Sequence, residues 1–195
     1  MTTQARTRRT PSAASPHAAS DVFVRRAKQL DGVATKTTIV ATSLGLMSIA
    51  TDATGRIVSL GLAPKGARTS QEVPRECAGA AEQLDEYLAG TRQTFDLNLE
   101  PKGTPFQHAV WKQLKTIPFG VIRTYAEVAR AIGRPTATRA VGAACGRNPI
   151  GIVVPCHRVV GSSGTLTGYY WGTELKRRLL ELEGVAVVDG RVKPG

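Results

Sequence analysis

Two short helical segments, separated by a turn, occupy residues 124 to 146, and the second segment consists almost entirely of small residues. The first segment, TYAEVARAIG, has Thr124 as its candidate N-cap and Gly133 as the candidate residue after its C-terminus. The sequence RPT turns the chain, and ATRAVGAACG then predicts a second helix. A helix, a turn of about four residues and a second helix have the spacing of a helix-turn-helix unit. This pair of segments favours a mainly helical second half of the chain.

The second of these helices presents Ala137, Ala140 and Gly142 together with one long cation, Arg139. A helix that reads the major groove of DNA normally offers several polar side chains to the base edges. Small residues instead allow close approach to a narrow surface such as the minor groove. They also allow tight packing between helices, so the composition alone leaves both interpretations open.

The remaining pattern divides the chain into three parts. TTIVATSLGLMSIATD and GRIVSLGLA predict two or three antiparallel strands, VPRECAGAAEQLDEYLAG predicts a helix closed by Gly90, and FDLNLE predicts a further short strand. PFQHAVWKQLKTI has the apolar stripe of an amphipathic helix. We expect a basic disordered tail over 1–33, an N-terminal α/β domain with a small antiparallel sheet and a helix over 34–100, and a mainly helical C-terminal domain over 101–190.

The charge balance points to a polyanionic partner. Lys and Arg number 26 against 15 Asp and Glu, which gives a formal net charge of +11. A generic basic surface is the alternative, whereas no apolar run approaches the roughly 20 residues that would span a membrane. Three cysteines, an odd number, favour a reducing and hence cytoplasmic compartment, since the first residues also lack a signal peptide's apolar stretch. With no C-x-x-C pair and with scattered histidines, we expect no metal site and no cofactor.

The candidate chemical centre follows Asn148, where GIVV predicts a buried strand that delivers the sequence PCHRVV. The reactive form of Cys156 is the thiolate, whose ordinary pKa near 8.5 must be lowered by a neighbouring base or cation. His157 supplies such a base, although adjacent residues of a strand point to opposite sides. We therefore expect a bridging water or a sharp turn between them. Glu183 is the candidate carboxylate that orients the imidazole.

The stretch IVVPCHRVVGSSGTLTGYYWG resembles the active-site signature of the O6-alkylguanine-DNA alkyltransferases, for which PCHRVV is a highly specific motif. The resemblance extends from about Thr104 to Gly184, and the first half of the chain is compatible with the family's variable N-terminal α/β domain. The GYYWG segment is closer to the alkyltransferase domain of the bacterial adaptive-response protein, because the commoner single-domain enzymes have a small residue and Gly where Tyr170 and Trp171 stand. These two bulky residues either narrow the pocket against large alkyl groups or pack outward.

The resemblance implies a role for each matching residue of the centre. Cys156 would accept the alkyl group, His157 would be the water-linked base, Glu183 would orient it, and Asn148 would brace the active-site turn. The backbone carbonyls of Cys156 and Val159 would accept from the exocyclic amine of the guanine.

Further residues would handle the DNA. Tyr125 would crowd a phosphate, help to rotate the nucleotide outward and donate to the flipped guanine, while Arg139 would fill the space left in the base stack. Tyr169 would lie against the base, the backbone amide of Tyr170 would bind the base oxygen, and Lys176 would lie near the pocket. The small residues of the same DNA-binding surface would be Ala137, Ala140 and Gly142.

The resemblance thus implies DNA repair by direct reversal of damage: irreversible, single-turnover transfer of a methyl or other alkyl group from O6-alkylguanine, with O4-alkylthymine as a further candidate substrate. The expected partner is double-stranded DNA that contains alkylated guanine, bound by a monomer, with clustering along DNA left open. Three alternatives use other features of the sequence. They are a non-catalytic lesion-binding protein on the same scaffold, a helix-turn-helix regulator that reads sequence in the major groove, and an unrelated cysteine hydrolase that uses Cys156 and His157.

Overall fold

The computed structural model describes residues 35–192, so the basic tail predicted over residues 1–33 lies outside the described residues. The described chain begins with an antiparallel sheet in the order β1-β2-β3, which confirms the predicted antiparallel strands and sets their number at three. The strands are β1 (Lys36–Thr42), β2 (Gly45–Thr51) and β3 (Ile57–Leu62). Gly45 adopts a φ of 110° in the tight turn between β1 and β2, a backbone conformation that favours glycine.

The helix α1 (Arg75–Leu88) packs against this sheet through one buried stripe. Its buried residues recur at helical spacing, which is why the sequence pattern predicted the helix; they are Cys77, Ala80, Leu84 and Tyr87. The helix ends as predicted, with Gly90 at a φ of 76°.

The prediction of a strand for FDLNLE is wrong. The segment is extended, but only one residue of β3 pairs with it: Ile57 donates to the Asn98 carbonyl and accepts from the Glu100 amide. Further along β3, Leu60 donates to the Pro149 carbonyl and accepts from the Gly151 amide. The edge of β3 is therefore shared between two segments, and neither forms a long ladder.

The predicted helices of the second half are confirmed as α2 (Pro105–Lys115), α3 (Tyr125–Ala131) and α4 (Thr138–Gly146). Capping boxes begin α2 and α3. The hydroxyls of Thr104 and Thr124 each accept from the backbone amide three residues later, and their own backbone amides donate to the side chain of that residue. The Trp111 indole of α2 donates to the Ala144 carbonyl of α4 at 3.0 Å. A fourth helix of this half, α5 (Thr173–Leu182), follows later in the chain.

The prediction of a buried strand for GIVV is also wrong. The segment is buried, but its backbone turns upon itself: the Val154 amide donates to the Ile150 carbonyl, and Ile152 has a φ of 68°. A turn of 3-10 helix (Cys156–Arg158) follows, and then β5 (Val159–Val160) pairs in parallel with β4 (Arg123–Thr124). A hairpin of β6 (Val187–Val188) and β7 (Arg191–Val192) closes the described chain.

One apolar core runs through both halves of the molecule. It contains residues of the sheet, of α1, of the C-terminal helices and of the turns before the 3-10 helix, among them Leu60, Leu84, Leu114, Val141 and Ile150. Because these residues are in one contact cluster, the turns that precede Cys156 are packed against the N-terminal sheet. Within residues 35–192, no helix is long and apolar enough to cross a membrane.

Candidate active site around Cys156

Cys156 begins the turn of 3-10 helix and is 7% exposed. Its Sγ accepts a hydrogen bond of 3.3 Å from Asn148 Nδ2, which also donates to the Val154 carbonyl at 2.8 Å. The side-chain oxygen of Asn148 accepts from the Ile150 amide at 3.1 Å. One buried amide therefore holds the turns before the thiol and contacts the sulfur itself, the position that the predicted bracing role requires.

His157, the residue after Cys156, forms a fully buried pair with Glu183 at the C-terminal end of α5. His157 Nε2 lies 2.8 Å from Glu183 Oε1, and both side chains are 0% exposed. Because a carboxylate oxygen is an acceptor, Nε2 carries the hydrogen of the neutral ring and Nδ1 carries the lone pair. Nδ1 is buried and has no partner among the described residues. The imidazole thus offers a free base on the side away from the carboxylate, and the sharp turn expected between Cys156 and His157 is present.

Two further residues that the sequence reasoning did not single out bind the same carboxylate. Arg158 donates to Glu183 Oε2 through Nε at 2.9 Å and to Oε1 through a terminal nitrogen at 2.9 Å, while its other terminal nitrogen donates to the Ile117 carbonyl. Tyr87 of α1 donates its phenol proton to Oε1 at 2.6 Å. Arg158 could have been found from its place in PCHRVV. Tyr87 gave no signal beyond its place on the buried stripe of α1.

The electrostatics of the site favour a neutral thiol beside a neutral imidazole at rest. Burial raises the pKa of Cys156, against the Asn148 hydrogen bond and the charge of Lys176, so the expected lowering of the thiol pKa is absent. Burial lowers the pKa of His157, although the hydrogen bond and charge of Glu183 oppose it. Burial would raise the pKa of Glu183, but hydrogen bonds from His157, Arg158 and Tyr87 outweigh it and hold that pKa at about 2.

Lys176, which the resemblance places near the expected pocket, is 0% exposed. Its Nζ donates to the carbonyls of Val159 and Thr167 and lies 5.9 Å from the centre of the Tyr125 ring. Burial lowers the pKa of Lys176 to about 8, while the nearby Cys156 raises it. Tyr125 donates its phenol proton to the Thr167 carbonyl at 3.1 Å. The structure thus brings Tyr125, Val159 and Lys176 together.

The aromatic residues of GYYWG turn inward. Tyr169 is 8% exposed, and its ring centre lies 6.4 Å from that of His157 and 5.8 Å from that of Trp171. Trp171 is 6% exposed, so the alternative in which it packs outward is wrong. Its indole occupies the space above Gly151, where an added Cβ would lie 1.9 Å from the ring. Tyr170 is partly buried against the same core.

The residues predicted to contact DNA on α4 lie on a different surface from the buried network. Arg139 and Ala140 are exposed, and Ala137 and Gly142 are partly exposed. A Cβ at Gly142 would lie 3.9 Å from the Tyr125 ring, so α4 passes directly beside that tyrosine. Between residues 123 and 147 only one acidic residue accompanies five exposed arginines, which are Arg123, Arg130, Arg134, Arg139 and Arg147. In the part of the chain that the structure describes, no group of three or more His, Cys, Asp or Glu could hold a metal ion.

Comparisons with known proteins match this chain to one family. Residues 105–185 match the family described as 6-O-methylguanine DNA methyltransferase, DNA binding domain. The methylated-DNA–protein-cysteine methyltransferase of Mycolicibacterium paratuberculosis is 56% identical over 112 residues, which cover 57% of this chain and 68% of that protein. The protein of the same name from Methanosarcina acetivorans is 56% identical over 105 residues, 54% of this chain and 67% of that protein.

Solved structures extend the likeness to the first half. The crystal structure of the Mycobacterium tuberculosis O6-methylguanine methyltransferase matches with a TM-score of 0.68 at 43% identity, covering 77% of this chain and 93% of the other. The enzyme from the hyperthermophilic archaeon Pyrococcus kodakaraensis matches with a TM-score of 0.58 at 30% identity, over 78% of this chain and all of the other. On this combined likeness of sequence and fold, the chain belongs to the methylated-DNA–protein-cysteine methyltransferase family.

Proposed function

We propose that this protein repairs DNA by moving the alkyl group of an O6-alkylguanine onto Cys156, once per molecule. The single observation that carries the proposal is the buried row of Cys156, His157 and Glu183, braced at the sulfur by Asn148. The named relatives are methylated-DNA–protein-cysteine methyltransferases, and the Mycobacterium tuberculosis structure is known also in complex with DNA. The partner of this chain is, on this proposal, double-stranded DNA that contains the damaged base.

The reaction follows from the resting charges of the site. A water between Cys156 and His157 passes the thiol proton to the free Nδ1, and Glu183 stabilises the resulting imidazolium. The sulfur then forms a bond to the alkyl carbon, the bond from that carbon to O6 breaks, and the electron pair stays on the guanine. Tyr125 supplies a proton to the guanine, while Tyr169 and the backbone amide of Tyr170 stabilise the charge that develops near O6. The product thioether has no ionisable sulfur, so the protein reacts only once.

The lysine beside the pocket makes the first step easier. Its positive charge opposes the rise in the pKa of Cys156 that burial causes. Formation of the thiolate in turn stabilises the charged amine, because the two groups attract each other across the pocket. Lys176 also donates a hydrogen bond to the Val159 carbonyl. The second lone pair of that oxygen can still accept a hydrogen bond from the exocyclic amine of the guanine.

The surface of α3 and α4 serves as the DNA-binding face in this proposal. The two helices act as a helix-turn-helix unit whose small residues approach the minor groove, and exposed arginines contact phosphates. Arg139 enters the base stack when the guanine turns outward, and Tyr125, next to α4, directs the guanine toward Cys156. The small side chains of Ala137, Ala140 and Gly142 keep this face thin.

The test is mass spectrometry of the intact protein after mixing with duplex oligonucleotide that carries O6-methylguanine. The protein should gain one methyl group, and peptide mapping should place it on Cys156. Cys156→Ala should gain none, whereas Cys145→Ala, which removes another buried thiol of the same half, should still react. Methylation that persists in Cys156→Ala contradicts the proposal. Binding to methylated duplex without any gain in mass would favour a lesion-binding protein. An affinity that differs among DNA sequences but is the same with and without the methylated guanine would favour a regulator.

A further inference from the structure

A tyrosine from the N-terminal half reaches the centre of the C-terminal site. Tyr87 lies in the last turn of α1, is 0% exposed, and donates its phenol proton to Glu183 Oε1 at 2.6 Å. The two residues are 96 positions apart in the chain. The phenol oxygen also lies 3.4 Å from His157 Nε2, so the phenol and the imidazole converge on one carboxylate oxygen. A single hydroxyl thus connects the sheet-bearing half to the imidazole that serves the thiol.

The carboxylate of Glu183 is shared among several donors. Oε1 accepts hydrogen bonds from the side chains of Tyr87, His157 and Arg158. Oε2 accepts hydrogen bonds from Arg158 and, at 3.1 Å, from the Gly120 amide. Each donor draws electron density from the oxygen that it contacts, so each weakens the attraction of that oxygen for the other donors. Arg158 neutralises the formal charge of Glu183, and Tyr87 competes directly with the imidazole for Oε1.

We propose that Tyr87 is a positioning residue for alkyl transfer: its phenol fixes the carboxylate of Glu183 and limits the basicity of His157. The inference rests on the proposed function, because it assigns a purpose to the basicity of this imidazole. A carboxylate without the phenol would hold the ring proton more strongly and favour the imidazolium before substrate arrives. An imidazolium cannot take the thiol proton, so the phenol acts together with burial to keep the imidazole neutral and able to serve as the base.

Charged or titratable groups from four parts of the chain lie around the imidazole. Cys156 and Arg158 flank it in its own 3-10 turn. Lys176 and Glu183 lie near it from α5 and the C-terminal end of that helix, and Tyr169 from the loop before α5. Tyr87 is the group contributed by α1. Among these groups, Tyr87 offers a change that removes one hydrogen-bond donor and leaves every formal charge at neutral pH in place. It therefore isolates the effect of that donor on the imidazole.

The experiment measures the pKa of His157 by ¹⁵N NMR of the unreacted, histidine-labelled protein, in the wild type and in Tyr87→Phe. Loss of the donor should raise this pKa by about half a unit to one unit. The acid limb of the pH–rate profile for methyl transfer should move upward in pH by the same amount. Leu84→Ala is the matched control, because it damages the core of the same helix without touching the carboxylate. It should lower stability and leave both the His157 pKa and the shape of the profile unchanged.

A second variant tests the sign of the effect. Replacing Tyr87 with 3-fluorotyrosine makes the phenol more acidic and a stronger donor, so the pKa of His157 should fall rather than rise. A merely structural role predicts no shift in either variant, or shifts of the same sign, and either result overturns the proposal. The NMR titration needs no alkyl transfer. If the wild-type protein fails to react with methylated DNA while the two opposite shifts are found, the proposed function fails and the assignment of Tyr87 as a modulator of the His157 pKa stands.

Discussion

The buried carboxylate of Glu183 permits a sharp prediction about stability. Glu183→Gln keeps the size of the side chain but removes the charge that pairs with Arg158, which is 6% exposed. Removing one partner of a buried ion pair leaves an uncompensated charge, which costs about 3–5 kcal/mol. The lowered pKa of Glu183 supports a similar figure, because a drop from 4.5 to about 2 corresponds to about 3 kcal/mol of stability at neutral pH.

The sign of the pH dependence follows from the same shift. A carboxyl whose pKa is lower in the folded state stabilises the fold above its unfolded pKa, and this contribution is lost as pH falls through the folded value. The stability contributed by Glu183 should therefore decline from about pH 4.5 toward pH 2. Between pH 5 and pH 3, the difference in unfolding free energy between wild type and Glu183→Gln should shrink by about half.

Urea unfolding, followed by far-UV circular dichroism at several pH values, measures these free energies. Glu181→Gln is the matched control. Glu181 pairs with Arg177 at 2.7 Å, but both side chains are more than a third exposed, and Arg177 keeps Glu174 as a second partner. The control should change the free energy of unfolding by less than about 0.5 kcal/mol. Equal effects of the two substitutions, or a loss below about 1 kcal/mol for Glu183→Gln, would refute the reasoning.

Three further substitutions test other parts of the site. Lys176→Met removes the cation that opposes the rise in the pKa of Cys156, so the pH profile of alkylation by iodoacetamide should move upward by about one unit and methyl transfer at neutral pH should slow about tenfold. Arg139→Ala, on the exposed side of α4, should leave the melting temperature within about 2 °C but weaken binding to DNA, measured by fluorescence anisotropy; unchanged affinity would contradict the assignment of this face. Gly151→Ala places a Cβ 1.9 Å from the Trp171 ring and should cost about 1–3 kcal/mol in urea unfolding, a loss that Trp171→Leu in the same chain should partly reverse.

Much of the fold could be predicted from the sequence because its signals are local. Thr104 and Thr124 begin helices through capping boxes written within four consecutive residues, and Gly90 and Gly133 end helices where positive φ is needed. The antiparallel strands β1 and β2 meet at the turn before Gly45, a residue type that favours turns. These features depend on neighbours in the chain and hardly on the tertiary structure.

The two strand predictions failed because apolar runs and alternating patterns report burial and not backbone hydrogen bonding. The segment that contains Ile150 and Ile152 is buried as expected, but Asn148 satisfies the Val154 carbonyl from its side chain and removes the need for a ladder. The strand predicted for FDLNLE is absent for a related reason, because this segment pairs with β3 through the backbone at Ile57 alone, which is too short a pairing for a strand. Which edge of a sheet a segment reaches is decided by packing between elements, which no short window of sequence contains.

Most of the candidate site, like most of the fold, could be predicted from the sequence. The motif PCHRVV located Cys156 and His157, the need for an orienting carboxylate pointed to Glu183, and the resemblance implied the role of Asn148. The structure brings these four residues together. Tyr87 was missed because its ring belongs to the apolar stripe of α1, where a buried tyrosine and a buried leucine look alike in the sequence. The partner of its hydroxyl becomes visible only when the two halves are packed against each other.

The attachment of residues 149–151 to the edge of β3 has a consequence for the order of events during synthesis. The Ser59 hydroxyl donates to the Pro149 carbonyl, 90 positions away in the chain, and Leu60 pairs with the same loop. The segment that precedes the thiol is therefore held by a sheet from a much earlier part of the chain. On the ribosome, the sheet leaves the exit tunnel before residues 149–151, so this part of the β3 edge stays unpaired until they emerge. The long-range pairing that holds the segment before the thiol can therefore form only after residues 149–151 have left the tunnel.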